Sequence, residues 1–144
     1  MIRLTKERKL AVLRRTRQLL KRPYGWTRRT WKSPYHAPGR SYHAYCLEGA
    51  CNQAAIDVLG KEAAIELGAA HPSAYSIEGA ALSLSGSFAR RLSLAAQVER
   101  KLAERGVRVG YGDDPVPIFN DDGQTRKRDV IELLDEYIRA LEAA

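Results

Sequence analysis

Thr125-Arg126-Lys127-Arg128-Asp129-Val130-Ile131-Glu132-Leu133-Leu134-Asp135-Glu136-Tyr137-Ile138-Arg139-Ala140-Leu141 carries the cleanest helical period of this chain. Val130, Leu133, Leu134, Tyr137, Ile138 and Leu141 recur at spacings of three and four, which draws one apolar stripe down a 3.6-residue helix. Thr125 is the expected N-cap. Such a stripe must be buried against others, and the rest of the chain supplies them. Thr5 caps a predicted helix to about Lys21, with Leu10, Leu13, Leu19 and Leu20 inward and Ala11 and Val12 broadening the stripe. Pro23 and Gly25 end it.

A second helix is expected from about Tyr42–Ala44 to Leu59, stopped by Gly60, with Leu47, Ala50, Cys51, Ala54, Ala55 and Val58 on its face. Gly49 within it allows close approach of a neighbour. Lys61–Leu67 reads as a short third helix, and residues 76–84 are ambiguous between helix and loop. Ser87 opens a predicted long helix to Arg105, and Val116–Phe119 reads as a short strand. The expectation is a mostly α fold: a compact bundle of four to five helices, with residues 23–43 as an irregular aromatic-rich loop.

The 144 residues fit one domain spanning 1–144. No apolar run suits a membrane helix or a signal peptide. Two cysteines are too few for a disulfide scaffold, so a reducing, cytoplasmic setting is expected.

Charge is the strongest functional cue. Residues 1–40 hold thirteen Lys or Arg and one acidic residue, Glu7, whereas residues 41–144 hold eleven and sixteen. The net charge of +7 is therefore a basic front joined to a mildly acidic helical remainder. Six of the eleven aromatic residues fall between Tyr24 and Tyr45. Arg and Lys interleaved with rings fit phosphate contact with base stacking. They equally fit an acidic protein surface, since Arg and aromatic residues dominate interface hot spots. The candidate contact residues are Arg14, Arg15, Trp26, Arg28, Arg29, Trp31, Lys32 and Tyr35. A solvated cationic face with inward rings is the alternative. No helix-turn-helix, zinc-finger or RNA-recognition signature is present.

Other constellations read as structural. Cys46 at a helix start, with His43 three residues before it, could form a nucleophile and base, but small buried cysteines more often pack. Cys46 and Cys51 lie about 140° apart on a helix, so with His36 and His43 they do not face one zinc ion. Asp113, Asp114, Asn120, Asp121 and Asp122 fail the EF-hand pattern and suit turns. Gly106, Gly110 and Gly112 lack the Lys-Ser/Thr of a phosphate loop. No metal or cofactor is expected.

Three blocks stand out together: Tyr24-Gly25-Trp26-Thr27 after the first helix, Tyr45-Cys46-Leu47-Glu48-Gly49-Ala50 opening the second, and Ile118-Phe119-Asn120-Asp121 with Asp129–Asp135 behind it. Their order resembles a family of small uncharacterised proteins from actinobacteria and their phages, with a Gly-Trp, Cys-x-x-Gly-Ala, Trp-Asn-Asp pattern; Phe119 stands in the Trp place. The resemblance implies a phage or actinobacterial origin and brings no activity. The expected function is a non-enzymatic, phage-encoded binding protein that engages an acidic surface on a host protein through its cationic, aromatic front. Nucleic-acid binding by that face is the alternative, and a cysteine-dependent enzyme is a third reading.

Overall fold

A computed structural model describes residues 2–71, 81–82 and 86–144, and among them the fold is mostly α. Helix α1 (Lys6–Lys21) starts at Thr5, whose hydroxyl accepts the Arg8 N–H, and buries Leu10, Val12, Leu13, Leu19 and Leu20. It packs chiefly against α2 (Leu47–Leu59), and also against α7 (Lys127–Ala143) at the other end of the chain. Leu13, Leu20, Leu47, Ala54, Leu133 and Leu134 lie in the shared core, and each is at most 1% exposed. Burial of such side chains is worth roughly 1.5–3 kcal/mol apiece for the larger ones. Helix α3 (Lys61–Glu66) follows Gly60, which ends α2 at φ +91 as expected. The short ladder of β3 (Ala70–His71) and β4 (Ala81–Leu82) takes in the end of the stretch left ambiguous; residues 76–80 and 83–84 of it lie outside the described residues.

Five expectations are corrected. The segment 23–43 is not wholly irregular: β1 (Lys32–His36) pairs antiparallel with β2 (His43–Tyr45). The register runs from Lys32↔Tyr45 to His36↔His43 with an irregularity between, where Pro34 has no N–H to offer the ladder. The residues expected to open the second helix are thus a strand, and that helix begins only at Leu47.

The predicted long helix from Ser87 to Arg105 is two helices, α4 (Ser87–Arg91) and α5 (Leu94–Glu104). Leu92 and Leu94 are both fully buried, yet two positions apart on one helix they would face about 200° away from each other. The left-handed Ser93, at φ +61, breaks the helix and turns both leucines inward.

Val116–Phe119 is helix rather than strand, within α6 (Pro115–Asp121). Asp114 caps α6 by accepting the Val116 N–H at 3.1 Å, and Pro115 takes a first-turn position where a missing N–H costs nothing. Lastly, α7 starts two residues beyond Thr125. Asp129 Oδ2 accepts the N–H of Arg126, the N-cap, at 2.7 Å, while Thr125 is buried and its hydroxyl accepts from Arg105 Nη1 at 2.7 Å.

Candidate functional site

The three sequence blocks meet around one side chain, Asn120, which is 1% exposed on α6. Its Oδ1 accepts the Trp26 indole N–H at 2.7 Å and the Leu47 backbone N–H at 2.9 Å. Its Nδ2 donates to the Thr27 carbonyl at 3.1 Å and to Asp121 Oδ1 at 3.0 Å. Asp121 in turn accepts the Arg29 N–H at 2.8 Å, which holds Arg29 in the left-handed region at φ +61. The third contact is steric: a Cβ on Gly49 would overlap the Trp31 carbonyl, so that backbone lies directly on α2. The close approach expected at Gly49 is real, and its neighbour is the aromatic segment itself. A single buried amide thus clasps residues 26–29 to the starts of α2 and α6.

A cavity of about 120 Å3 lies beside this clasp, lined by Arg29, Thr30, Trp31, Cys46, Glu48, Val116, Pro117, Asn120 and Asp121. Cys46 is the N-cap of α2, and its Sγ accepts the Gly49 N–H at 3.3 Å. Burial outweighs that bond and pushes the thiol up to about 11, with the negative charges of Glu48 and Asp121 adding to the rise. The helix-start position therefore does not bring this thiol down toward neutral pH, because burial outweighs it. His43 does not serve it either: its Nδ1 pairs with the Ser33 carbonyl at 2.7 Å, and its ring packs edge-on against His36 at 4.6 Å. Cys51 is wholly buried and its thiol is raised to about 12 by desolvation. Among the described residues no three His, Cys, Asp or Glu side chains converge to hold a metal ion.

Glu48 is the least expected member of this region. It is 2% exposed, and its Oε1 has no ordinary hydrogen-bond partner among the described residues. Burial, then a hydrogen bond to Asp114 and that group's charge, push its carboxyl up to about 8. Glu48 therefore carries a proton at neutral pH. Both carboxyls close on Gly86, where a Cβ would lie 2.6 Å from Glu48 Oε1.

The eight candidate contact residues divide by position. Arg14 pairs with Glu142 at 3.5 Å and Arg15 with Asp57 at 3.0 Å, so α1 directs them toward α7 and α2 respectively. Arg17 does likewise with Asp135 at 2.5 Å. Trp26 is half-buried in the clasp, and the Arg28 guanidinium lies 4.7 Å from its ring centre. Arg28 also donates through Nη2 to the Thr125 carbonyl. Trp31 is half-buried on α2, whereas Arg29, Lys32 and Tyr35 are exposed, Tyr35 at 81%. Arg29, Lys32 and Arg40 have no carboxylate partner among the described residues.

The structure gathers further residues around the hairpin. Arg22 sits 3.9 Å from the Tyr42 ring centre, and the Tyr42 hydroxyl donates to the Pro23 carbonyl at 3.0 Å. This brings the exposed Tyr24 turn, with Tyr24 at φ +57, against the strand pair. Tyr24 and Arg40 were outside the candidate set, and their proximity along the chain to Trp26 and Tyr42 was the signal for them. No helix among the described residues is long and apolar enough to cross a membrane.

No curated protein and no solved structure matches the chain. A family model described as "Family of unknown function (DUF6197)" matches residues 5–140. That match takes in nearly the whole chain, including the clasp and both helices that flank it, and the protein belongs to this uncharacterised family.

Proposed function

We propose that the protein is a non-enzymatic binding protein whose exposed hairpin and adjoining turn engage an acidic protein surface. One observation carries this reading. Arg14, Arg15 and Arg17 of α1 are matched by carboxylates of α2 and α7, whereas Arg29, Lys32 and Arg40 meet none among the described residues. These three lie among exposed or half-exposed rings, Tyr24, Tyr35 and Tyr42. Cations without internal partners, set between rings, are the hot-spot chemistry of an interface. The contact set therefore narrows to the segment 22–45, with Arg14 and Arg15 at its margin. Trp26 and Trp31 act mainly by fixing the segment to the scaffold, which argues against the stacking of bases on both indoles and ranks nucleic acid second. The resemblance to actinobacterial and actinophage proteins supports a phage origin, a host protein as target, and the host cytoplasm as the place of encounter.

The test is a nuclease-treated pull-down from actinobacterial lysate, with wild type beside the charge-reversed Lys32→Glu/Arg40→Glu variant. Nuclease-resistant capture of one acidic protein, lost in the variant, is the expected result. Capture that disappears with nuclease transfers the reading to nucleic acid. Capture that is unchanged by the variant refutes the hairpin as the contact.

A further inference from the structure

We propose that the open groove between Trp26, Arg29 and Gly123 receives a carboxylate side chain of the acidic partner, gripped by Arg29 with Arg28 behind it. This inference rests on the reading of the surface given above and assigns the anchor point within it. The groove, of about 620 Å3, is lined by Trp26, Thr27, Arg28, Arg29, Asp121 and Gly123. That space is on the scale of the roughly 300–1,000 Å3 that holds small ligands, and it suits one inserted side chain.

Its cationic wall is built rather than incidental. Arg28 is placed over the Trp26 ring at 4.7 Å and tied to the Thr125 carbonyl, yet its covered Nε–H has no acceptor among the described residues. That Nε–H is covered, so the charge of Arg28 acts on a guest through space, behind the exposed Arg29. Arg29 is fixed through its backbone, because Asp121 holds its N–H in a strained left-handed conformation while the side chain stays exposed. Neither arginine is ion-paired to a carboxylate among the described residues.

The wall also holds one acidic residue, Asp121. Asp121 Oδ1 is taken by Arg29 N–H and by Asn120 Nδ2, but its negative charge stays in the groove. Two guanidinium groups and one carboxylate leave the groove wall net positive, so it draws an anion. A guanidinium fork also matches a carboxylate in plane, with two parallel hydrogen bonds. The guest is a Glu or Asp side chain because the surrounding surface is read as meeting an acidic protein; phosphate, which a guanidinium also grips with two hydrogen bonds, is the rival that the test separates.

Heteronuclear NMR of the full chain tests this, following the Trp26 indole N–H and the Arg29 Nε–H. The probes are the capped peptide acetyl-Glu-Glu-Glu-amide, its Gln-Gln-Gln counterpart, and inorganic phosphate at matched ionic strength. The expected result is a saturable shift of both signals with the Glu peptide, none with the Gln peptide, and weaker binding of phosphate. Arg29→Gln is expected to weaken the Glu peptide at least tenfold. Equal shifts from the Glu and Gln peptides, tighter binding of phosphate, or an unchanged affinity in Arg29→Gln overturns the inference. The comparison of the two peptides on wild type stands even if the variant is misfolded. Shifts confined to Lys32, Tyr35 and Arg40 overturn the groove and leave the surface reading standing; no shift at any of these residues overturns both.

Discussion

Replacing Glu48 with Gln removes a titration from the middle of the protein while keeping a side chain of the same shape. In the folded chain Glu48 is 2% exposed and its carboxyl is raised from 4.5 to about 8. Burial is the first cause, followed by the hydrogen bond and the charge of Asp114; Asp121 adds to the rise and Arg90 opposes it. The folded state thus keeps a proton that the unfolded chain gives up above pH 4.5. The stability associated with this proton is fully present below that pH and is lost as pH rises through about 8. At about 1.4 kcal/mol per pH unit, the loss across the window is on the order of 5 kcal/mol, and about 3 kcal/mol of it has gone by pH 7. Glutamine cannot lose a proton, and its amide donates to Asp114 as the carboxyl did. Glu48→Gln should therefore match wild type near pH 4.5 and exceed it by about 3 kcal/mol at pH 7 and about 5 kcal/mol at pH 9. Urea unfolding followed by circular dichroism at those three pH values measures it. Parallel pH profiles for the two proteins, or a variant weaker than wild type at pH 9, would refute the reasoning, because burial would then not be holding a proton on Glu48 in the folded chain.

The clasp and the thiol make independent predictions. Asn120→Ala strands the Trp26 indole N–H, the Leu47 N–H and the Thr27 carbonyl at once, and should cost about 2–4 kcal/mol in urea unfolding. A cost below about 0.5 kcal/mol would show that the clasp contributes little. Cys46, raised to about 11, is expected to resist iodoacetamide in the folded protein at pH 7.5, with fewer than about one thiol in a thousand ionised, and to react once urea unfolds the chain. Fast alkylation of the native protein would restore the nucleophile reading.

The sequence makes α1 and α7 legible because each presents an uninterrupted stripe and few competing signals. Gly60 is legible because only a residue free at positive φ ends α2 there. The break at Ser93 is not, since Ser is an ordinary residue on a helix surface and its left-handed turn is set by the burial of Leu92 and Leu94. In α6, Val116-Pro117-Ile118-Phe119 is too short for periodicity to separate strand from helix, and the cap from Asp114 decides. The hairpin is masked by Pro34 within β1; its turn signal, Pro38-Gly39, stands in the sequence, and there Gly39 takes φ +67 and the Arg40 N–H donates to the Ala37 carbonyl at 2.9 Å.

At the site, the concentration of Arg, Lys and rings before residue 45 was plain, but their sorting was not. Arg14 and Arg15 are separated from Arg29 by carboxylates at Glu142 and Asp57, far along the chain. Asn120 reads locally as a turn residue; its partners Trp26 and Thr27 lie more than ninety positions away. Glu48 gives no local sign of burial, because a Glu in the first turn of a helix is ordinary on a solvent face.

The central claim is that the exposed hairpin, and not helix α1, meets the acidic partner. Fluorescence anisotropy of a labelled polyglutamate chain, titrated with wild type, Lys32→Glu/Arg40→Glu and Arg14→Gln/Arg15→Gln at rising salt, tests it most directly. Binding is expected to weaken with salt, to fall at least tenfold in the hairpin variant and to change less than twofold in the α1 variant. A loss in the α1 variant with the hairpin variant unaffected would contradict it.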